Sequence, residues 1–508
     1  MGTKVIAMYD VRGIQRYIYR TPHIQDAMGA SSIIEGIIEN ALRNAADRLQ
    51  IPEDQMELNW DNEEKPYPYR ETDHRIKVLY IGGGNAYVEF SDADLCVSCN
   101  KLMARYILEK TYSLQLAAVY TEKTDIYYKD YQQLFQKMNQ VKAEALDTKP
   151  LGALPIMKVE KKTGFPVVKD EKSTETLQKE RHKKTTIAED EEEKILDNLI
   201  DGKGVDSTLA IVHMDGNNMG LRIRGLVQGE KDYAKAVNLM RQISHNIHYA
   251  YLNTFEEMKE DLQGSKSDRK LIRKILVAGD DITYICNAKL ALESVEHFSK
   301  KITGKVMYGD ESKENIKRYG FSVCAGIAYV HSHFPFYIGY EVAEACCDSA
   351  KDRAKKPENK DGDRVGNYVD FQICKNVQCR NLDRVREKEY RTPTGENLLI
   401  RPYYVPTDYD FGLSKTGEKN YSYTKLKENI KYFAEGKIPR SFAKQIRNTY
   451  PLGSHQMEEL TRFLDSRGWK MPDQETAQME MYEEDRTAKW YDALELIDWY
   501  IGEDVQND

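Results

Sequence analysis

Three aspartates stand where carboxylates can be gathered to hold divalent cations. Asp215 closes an apolar run in Met214-Asp215-Gly216-Asn217-Asn218-Met219-Gly220, and Asp280 and Asp281 follow Gly279 between two further apolar runs. Phosphoryl transfer loads charge onto a phosphate and onto the oxygens entering and leaving it. Two divalent ions about 3.5–4 Å apart can clamp that charge if carboxylates converge to hold them. Hard oxygen ligands favour Mg2+ or Mn2+ over zinc, so two such ions are the expected cofactor. Gly216 and Gly279 carry no Cβ and would let a triphosphate or metal approach the backbone closely. Taken alone, Gly279-Asp280-Asp281 is an ordinary polar hairpin turn. Paired with the Asp215 run, it reads as a metal site. Downstream, Lys351 and Lys355 share one face of a helical pattern at i, i+4. They can meet a triphosphate as point charges or form a solvated helix face.

Positioning these acids requires particular elements. Thr208 to Met214 reads as a buried strand, Asp232 to Leu262 as helix, and Lys274 to Ala278 with Ile282 to Cys286 as a hairpin; Ala288 to Thr303 reads as helix and Phe321 to Val330 as strand. That β-α-β-β-α-β order predicts a ferredoxin-like antiparallel sheet with helices on one face. Its first and third strands are central neighbours, so Asp215 is expected beside the Asp280-Asp281 turn. Strand alternation sends Asp280 and Asp281 to opposite faces, so they need not do the same job. A helix from Gly339 to Lys355 and a strand from Tyr368 to Ile373 extend the unit.

The same order occurs earlier: strand Lys4 to Val11, helix Gln25 to Leu49, strands Ile76 to Ile81 and Ala86 to Phe90 around Gly82-Gly83-Gly84-Asn85, helix Asp92 to Tyr112, strand Leu114 to Thr121. The predicted fold is therefore α+β, with two palm modules and a C-terminal helical bundle at Tyr421 to Phe433, Ser441 to Asn448, His455 to Ser466 and Gln474 to Tyr500. The expected divisions are 1–150 (first module), 151–206 (charged connector), 207–405 (second module) and 406–508 (helical region). Lys169 to Lys194, dense in charge, is expected to be an exposed or mobile connector.

A chain of 508 residues exceeds one ordinary core, and 41% hydrophobic residues suffice for several. A net charge of −8 excludes a globally basic nucleic-acid binder, so any such contact must be local. Met1 to Ile6 enters a strand-like run without a signal-peptide core, and Ile6 stands where myristoylation requires Ser or Thr. No run of about 18 apolar residues predicts a membrane span, and a cytoplasmic location is expected. The 8 cysteines fit a reduced compartment. Cys96-Val97-Ser98-Cys99 makes at best half a zinc site and is expected to be core thiols.

These motifs resemble the large subunit of type III CRISPR interference complexes, whose tandem palm domains make cyclic oligoadenylates. Asp10-Val11-Arg12-Gly13-Ile14-Gln15-Arg16-Tyr17-Ile18-Tyr19 with Gly29-Ala30-Ser31-Ser32 is similar to the family's first-palm opening. Gly82-Gly83-Gly84-Asn85 is similar to its noncatalytic hairpin. Asp215 to Gly220, Ala278-Gly279-Asp280-Asp281, Cys324-Ala325-Gly326-Ile327-Ala328 with Phe334-Pro335, and the Ala350-Lys351 helix resemble its second palm. The likeness runs from about residue 3 to 405. It implies catalytic, metal-holding Asp215, Asp280 and Asp281, and a nucleotide site including Gly216, Asn217, Asn218, Gly279, Lys351, Lys355, Ser31, Ser32, Gly84 and Asn85. A helix N-cap is the alternative role for Ser31. ATP or related triphosphates would be substrates, and RNA or effector subunits partners; self-association is left open. Ala278 stands where the family's synthetase motif has its first glycine. No His-Asp dipeptide is present and no nuclease domain precedes the first palm, so DNA cleavage by that route is not implied. The family's inter-palm zinc cysteines are missing where Thr163-Gly164-Phe165-Pro166 stands.

Two other functions compete with a template-independent nucleotidyltransferase. A noncatalytic RNA-binding scaffold would use basic-aromatic patches such as Arg12 to Arg20, Tyr390-Arg391 and Arg401-Pro402-Tyr403-Tyr404. A diguanylate-cyclase-like enzyme would need Gly-Gly-Asp/Glu-Glu-Phe, and Gly279-Asp280-Asp281-Ile282-Thr283 lacks both Glu and Phe.

Overall fold

The computed structural model describes residues 3–20, 24–82, 85–144, 154–186, 199–201, 207–263, 271–410, 421–472, 474 and 480–499. The first module runs β1 (Val5–Arg12), α1 (Ile14–Tyr19), α2 (Ile24–Ile34), α3 (Ile37–Arg48), β2 (Ile76–Gly82), β3 (Asn85–Phe90), α4 (Ala93–Thr111), β4 (Gln115–Glu122) and α5 (Tyr127–Glu144). β1 pairs antiparallel with both β3 and β4, giving the sheet order β2-β3-β1-β4, with a two-residue strand at Met56–Glu57 on the outer edge of β2. The helix expected from Gln25 to Leu49 breaks in two at Gly36, which fits badly inside a helix.

After α6 (Thr174–Thr186) the second module runs β5 (Thr208–Gly216), α7 (Met219–Val227), α8 (Tyr233–Gln263), β6 (Ile272–Ala278), β7 (Asp281–Asn287), α9 (Ala291–Ile302), β8 (Val323–His331), α10 (Phe336–Ala354), β9 (Asn367–Ile373) and β10 (Tyr403–Val405). The order is β10-β9-β8-β5-β7-β6, so β5 lies centrally between β7 and β8, antiparallel to both. Both modules thus carry the ferredoxin-like core.

Helices do not stay on one face. In β1, Val5, Ala7 and Tyr9 pack into a core with α2, α3 and α4, whereas Ile6 and Met8 pack with α5 and α8 of the other module. β5 divides likewise between α10 on one side and α8 with α9 on the other. Strands buried on both faces must be apolar along their length, as Val5-Ile6-Ala7-Met8-Tyr9 is.

The connector expected to be exposed is instead partly built in. α6 packs on α2, and Glu175 and Lys179 are fully buried, 2.8 Å apart, with Lys179 Nζ also donating to Tyr17 O at 2.6 Å and Arg20 pairing with Glu175 at 2.9 Å. Charge density misled because the charges neutralise one another inside the protein. Glu189 to Glu193 lies outside the described residues.

The C-terminal region supplies α11 (Tyr423–Ala434), α12 (Arg440–Thr449), α13 (Ser454–Ser466) and α14 (Tyr491–Leu496). The long helix expected from Gln474 to Tyr500 is not formed. Within it, 480–490 is irregular and bridges back to Asn397 through Thr487, which leaves, among the described residues, only α14 and a short 3-10 turn. Fully buried Arg401 joins this region to the second sheet, pairing with Asp492 at 3.4 Å and Glu495 at 3.2 Å while its guanidinium lies over Phe371 of β9. No helix among the described residues is long and apolar enough to cross a membrane.

One side chain fastens the modules together. Arg241 of α8, fully buried, donates to Val78 O at 2.7 Å, Leu79 O at 2.6 Å and Tyr67 O at 2.8 Å, and pairs with Glu57 at 3.4 Å. We expect Arg241→Ala to lower the thermal midpoint by several degrees, since two buried carbonyls and one part-buried carbonyl lose their donor. Arg241→Lys should recover little, because an ammonium lacks the planar fork. A melting curve matching that of the unaltered protein would refute this.

Candidate functional site

The central position of β5 gathers the acids. β5 pairs Met214 with Ile282 of β7 and Asp215 with Cys324 of β8, so one further step of register sets Asp215 opposite Asp281. Gly279-Asp280 forms the two-residue loop closed by the Ala278–Asp281 pair, and Gly279 has φ 66°, the positive value that favoured hairpin turns demand. Asp281 thereby shares the α10 face with His213 and Thr283. Asp280 faces α8.

Gly216 has a different use from the one its sequence suggests. A Cβ there would meet Asp280 Oδ2 and the Tyr251 hydroxyl, each at 2.8 Å. The missing methyl makes room for protein groups, the Asp280 carboxylate and Tyr251 of α8, instead of a ligand. The Tyr251 hydroxyl is buried without a hydrogen-bond partner.

Electrostatics here are unfavourable by construction. Burial, then the Asp215 charge, pushes the Asp280 carboxyl up to about 7. Burial, then Asp215, Asp280 and Glu344, pushes Asp281 up to about 8. Asp281 Oδ1 has no hydrogen-bond partner; His213 Nδ1 stands 3.5 Å away but faces Thr283 Oγ1 at 3.1 Å. Burial holds His213 down to about 4, so it is neutral near pH 7 and offers no positive charge. The compensating cation is Lys351, whose ammonium bonds Asp215 Oδ2. Burial pulls the Lys351 pKa down, but Asp215 together with the neighbouring Cys347 and Cys324 makes the net shift upward. Lys355 is exposed at the end of α10, away from that contact.

Asp280, alone of the three acids, borders a cleft of about 620 Å³ between the modules, which is lined by Gly279 and Asp280 on one side and by Ser31, Gly82 and Asn85 on the other. Ser31 lies in the last turn of α2, so it is not an N-cap; Ser32 is its helical neighbour and is not on the cleft wall. Gly84 lies outside the described residues. Asn217 and Asn218 turn elsewhere: Asn217 Nδ2 donates to Ser322 Oγ and Gly366 O, each at 3.2 Å, and Asn218 Nδ2 to Asp363 O at 3.0 Å. They brace the loop beside the site.

Tyr19 went unrecognised in the sequence. It reaches across from α1 to stack on Tyr340 of α10, centroids 3.5 Å apart, and Tyr340 stands edge-on to His213 at 5.5 Å. Its only signal in the sequence was that it closes the opening motif and falls within the Arg12 to Arg20 patch. The basic-aromatic patches are largely drawn inside: Tyr17, Tyr19, Tyr390, Arg401, Tyr403 and Tyr404 are buried, while Arg16 and Arg391 stay exposed. All 8 cysteines are buried and free, including Cys96 and Cys99.

Among the described residues no three or more His, Cys, Asp or Glu side chains are assembled as a ready metal-holding group. The donor chemistry nevertheless fits a hard divalent cation. Two carboxyls are held partly protonated by burial and by their mutual repulsion, Asp281 Oδ1 is orphaned, and the three carboxyls offer oxygen donors with only His213 supplying a nitrogen nearby.

Residues 208–366 match the family model described as Cas10/Cmr2, second palm domain. No curated protein matches the chain. Among solved structures, the Csm1-Csm4 cassette in complex with cA4 aligns with TM-score 0.56 at 14% identity, covering 98% of this chain and 70% of that one. The cassette in complex with one ATP aligns with TM-score 0.54 at 13% identity, covering 98% and 70%. Csm1 of T.onnurineus aligns with TM-score 0.54 at 12% identity, covering 98% and 69%. Residues 208–366 are thus similar to a Cas10/Cmr2 second palm, within a chain whose fold resembles that of Csm1. At these identities the likeness to the solved structures concerns the fold.

A raised carboxyl pKa means that the folded protein keeps protons which the unfolded chain releases above about pH 4. Stability is therefore lost as pH rises from about 4 through 7 to 8, by at most roughly 1.4 kcal/mol per pH unit for each proton. In EDTA, the thermal midpoint should fall less over that range for Asp280→Asn with Asp281→Asn than for the unaltered protein. Parallel pH profiles would show that these carboxyls do not titrate as described.

Proposed function

We propose that this chain is a metal-dependent, template-independent nucleotidyltransferase that joins ATP or related triphosphates into a cyclic or linear oligonucleotide second messenger in CRISPR-type antiviral defence. The observation that carries this reading is the meeting of Asp215 with Asp280 and Asp281 at one sheet edge, on the rim of a cleft between two palms. The match of residues 208–366 to a Cas10/Cmr2 second palm, and a fold shared with proteins solved with cA4 and with ATP, support the same substrate class.

Asp215, Asp280 and Asp281 would hold Mg2+ or Mn2+, and two such ions, when bound, supply charge to the attacking and leaving oxygens. The 3′-hydroxyl of an acceptor nucleotide attacks the α-phosphate of a donor; one P–O bond forms, and the bond to pyrophosphate breaks. Lys351 is placed to exchange its Asp215 partner for the leaving phosphates. Ser31 and Asn85 contribute the opposite wall. Asn85 is neutral where the second module has Asp281, so the first module binds a nucleotide without activating one. Membership of a larger effector assembly belongs to the same proposal, since related Csm1 structures contain Csm4.

Purified protein with ATP, GTP and Mn2+, products read by mass spectrometry, is expected to yield an oligonucleotide that disappears in EDTA. Asp280→Ala should reduce it by roughly a hundredfold or more. No product under any candidate activator, together with undiminished nucleotide binding by Asp280→Ala, would reject the reading.

A further inference from the structure

A second concavity, of about 530 Å³, lies behind the cleft, between α5 and α7. α7 is the partition. Its Met219, Gly220 and Ile223 line the cleft, and its Leu221 and Arg224, with Gln228 just past its end, line the groove. Tyr131 of α5 lines both.

Through Tyr131 runs a column of rings. Tyr80 stacks on Tyr87 with centroids 4.7 Å apart and planes 22° apart, Tyr87 on Tyr131 at 5.9 Å and 23°, and Tyr131 on Phe135 at 6.3 Å and 15°. Tyr128 adds a further ring 6.3 Å from Tyr131 at 18°. Aromatics three or four apart on a helix meet by spacing alone, which accounts for Tyr128, Tyr131 and Phe135 as neighbours. It does not account for the ladder leaving the core at Tyr80 and emerging in an open groove. Arg224 stands over Phe135, 5.9 Å from its centroid, and forms no ion pair among the described residues. Exposed amides of Gln132, Gln136 and Gln228 surround the rings, Leu221 is 47% exposed, and Asp363 is the one acidic residue on the wall.

Near-parallel rings, one unpaired guanidinium and exposed amides suit a single-stranded oligonucleotide: bases stack, phosphates meet the cation and base edges meet the amides. The cleft's volume is that of a small-ligand pocket, so a strand of several nucleotides must leave it somewhere. The continuity through Tyr131 offers a way out. We propose that the α5–α7 groove holds the growing linear oligonucleotide product as it emerges from the cleft, with bases on Tyr128 and Phe135 and a phosphate on Arg224. This rests on the nucleotidyltransferase reading.

The test uses the full chain and two fluorescent 5′-hydroxyl oligoadenylates, a dinucleotide and a tetranucleotide. The tetranucleotide should bind more tightly than the dinucleotide. Tyr128→Ala and Arg224→Glu, each checked for an unchanged melting curve, should each weaken tetranucleotide binding about tenfold and shift the products of turnover toward shorter chains. Equal binding of the tetranucleotide by variants and unaltered protein would overturn the proposal. So would equal losses for both oligomers, which would mean the substitutions disturb the cleft. A long single-stranded RNA bound far more tightly, through the same residues, would give the groove to RNA and not to product. The enzyme reading fails separately: no product from ATP and Mn2+, while length-dependent binding still requires Tyr128 and Arg224, would remove the synthesis and leave an oligonucleotide groove.

Discussion

A bulge in β2 and the guanidinium that answers it hold the two palms in place. The register between β2 and β3 shifts between Val78 and Tyr80. Such a shift turns successive backbone groups out of the ladder, and the carbonyls of Val78 and Leu79 both meet Arg241. Buried carbonyls without donors are costly, so the edge of the first sheet is completed by a side chain of the second module. The edge is closed to further strands, and the distance between the two cleft walls is fixed by hydrogen bonds as well as by oily contact.

The modules repeat more closely than their sequences do. Asp10 ends the inward face of β1 as Asp215 ends that of β5, and each is bonded by a lysine near the end of the helix after the fourth strand: Lys142 of α5 and Lys351 of α10. Asp10 is opposite Asn85, and Asp215 is one register step from facing Asp281. The two units share an Asp–Lys pair and differ at the hairpin, where one carries two carboxylates and the other an amide. The charge imbalance that favours a cation is therefore concentrated in one unit, while the other keeps a neutral copy of the same framework.

Much of this was legible from residues alone. Apolar runs broken by Gly279-Asp280 could hardly be anything but a hairpin, and the ferredoxin-like order then put Asp215 beside it. Side-chain commitments were less visible. Gly216 looked like room for a ligand because a sequence cannot say which neighbour occupies the absent methyl's place. Arg401-Pro402-Tyr403-Tyr404 has the composition of a nucleic-acid patch, and only the tertiary fold supplies the acids that draw it inside. α1 is six residues long and α7 contains two glycines, so neither carries a periodic signal strong enough to stand alone. Gln474 to Tyr500 failed oppositely: its buried Met481, Trp490 and Tyr491 imitate a helical stripe, but the backbone between them is spent on bridges.

The Arg401 cage makes the last described helix part of the palm's own interior. Asp492 also accepts from the amides of Ile400 and Arg401 and from the Tyr403 hydroxyl, so one carboxylate near the end of the chain completes bonds begun some ninety residues earlier. The outer strands of the second sheet can therefore settle only after the ribosome has released a stretch some ninety residues downstream of them. Folding of the second module is in this sense timed by that later stretch, and messages truncated before it encode a sheet with a stranded cation at its heart.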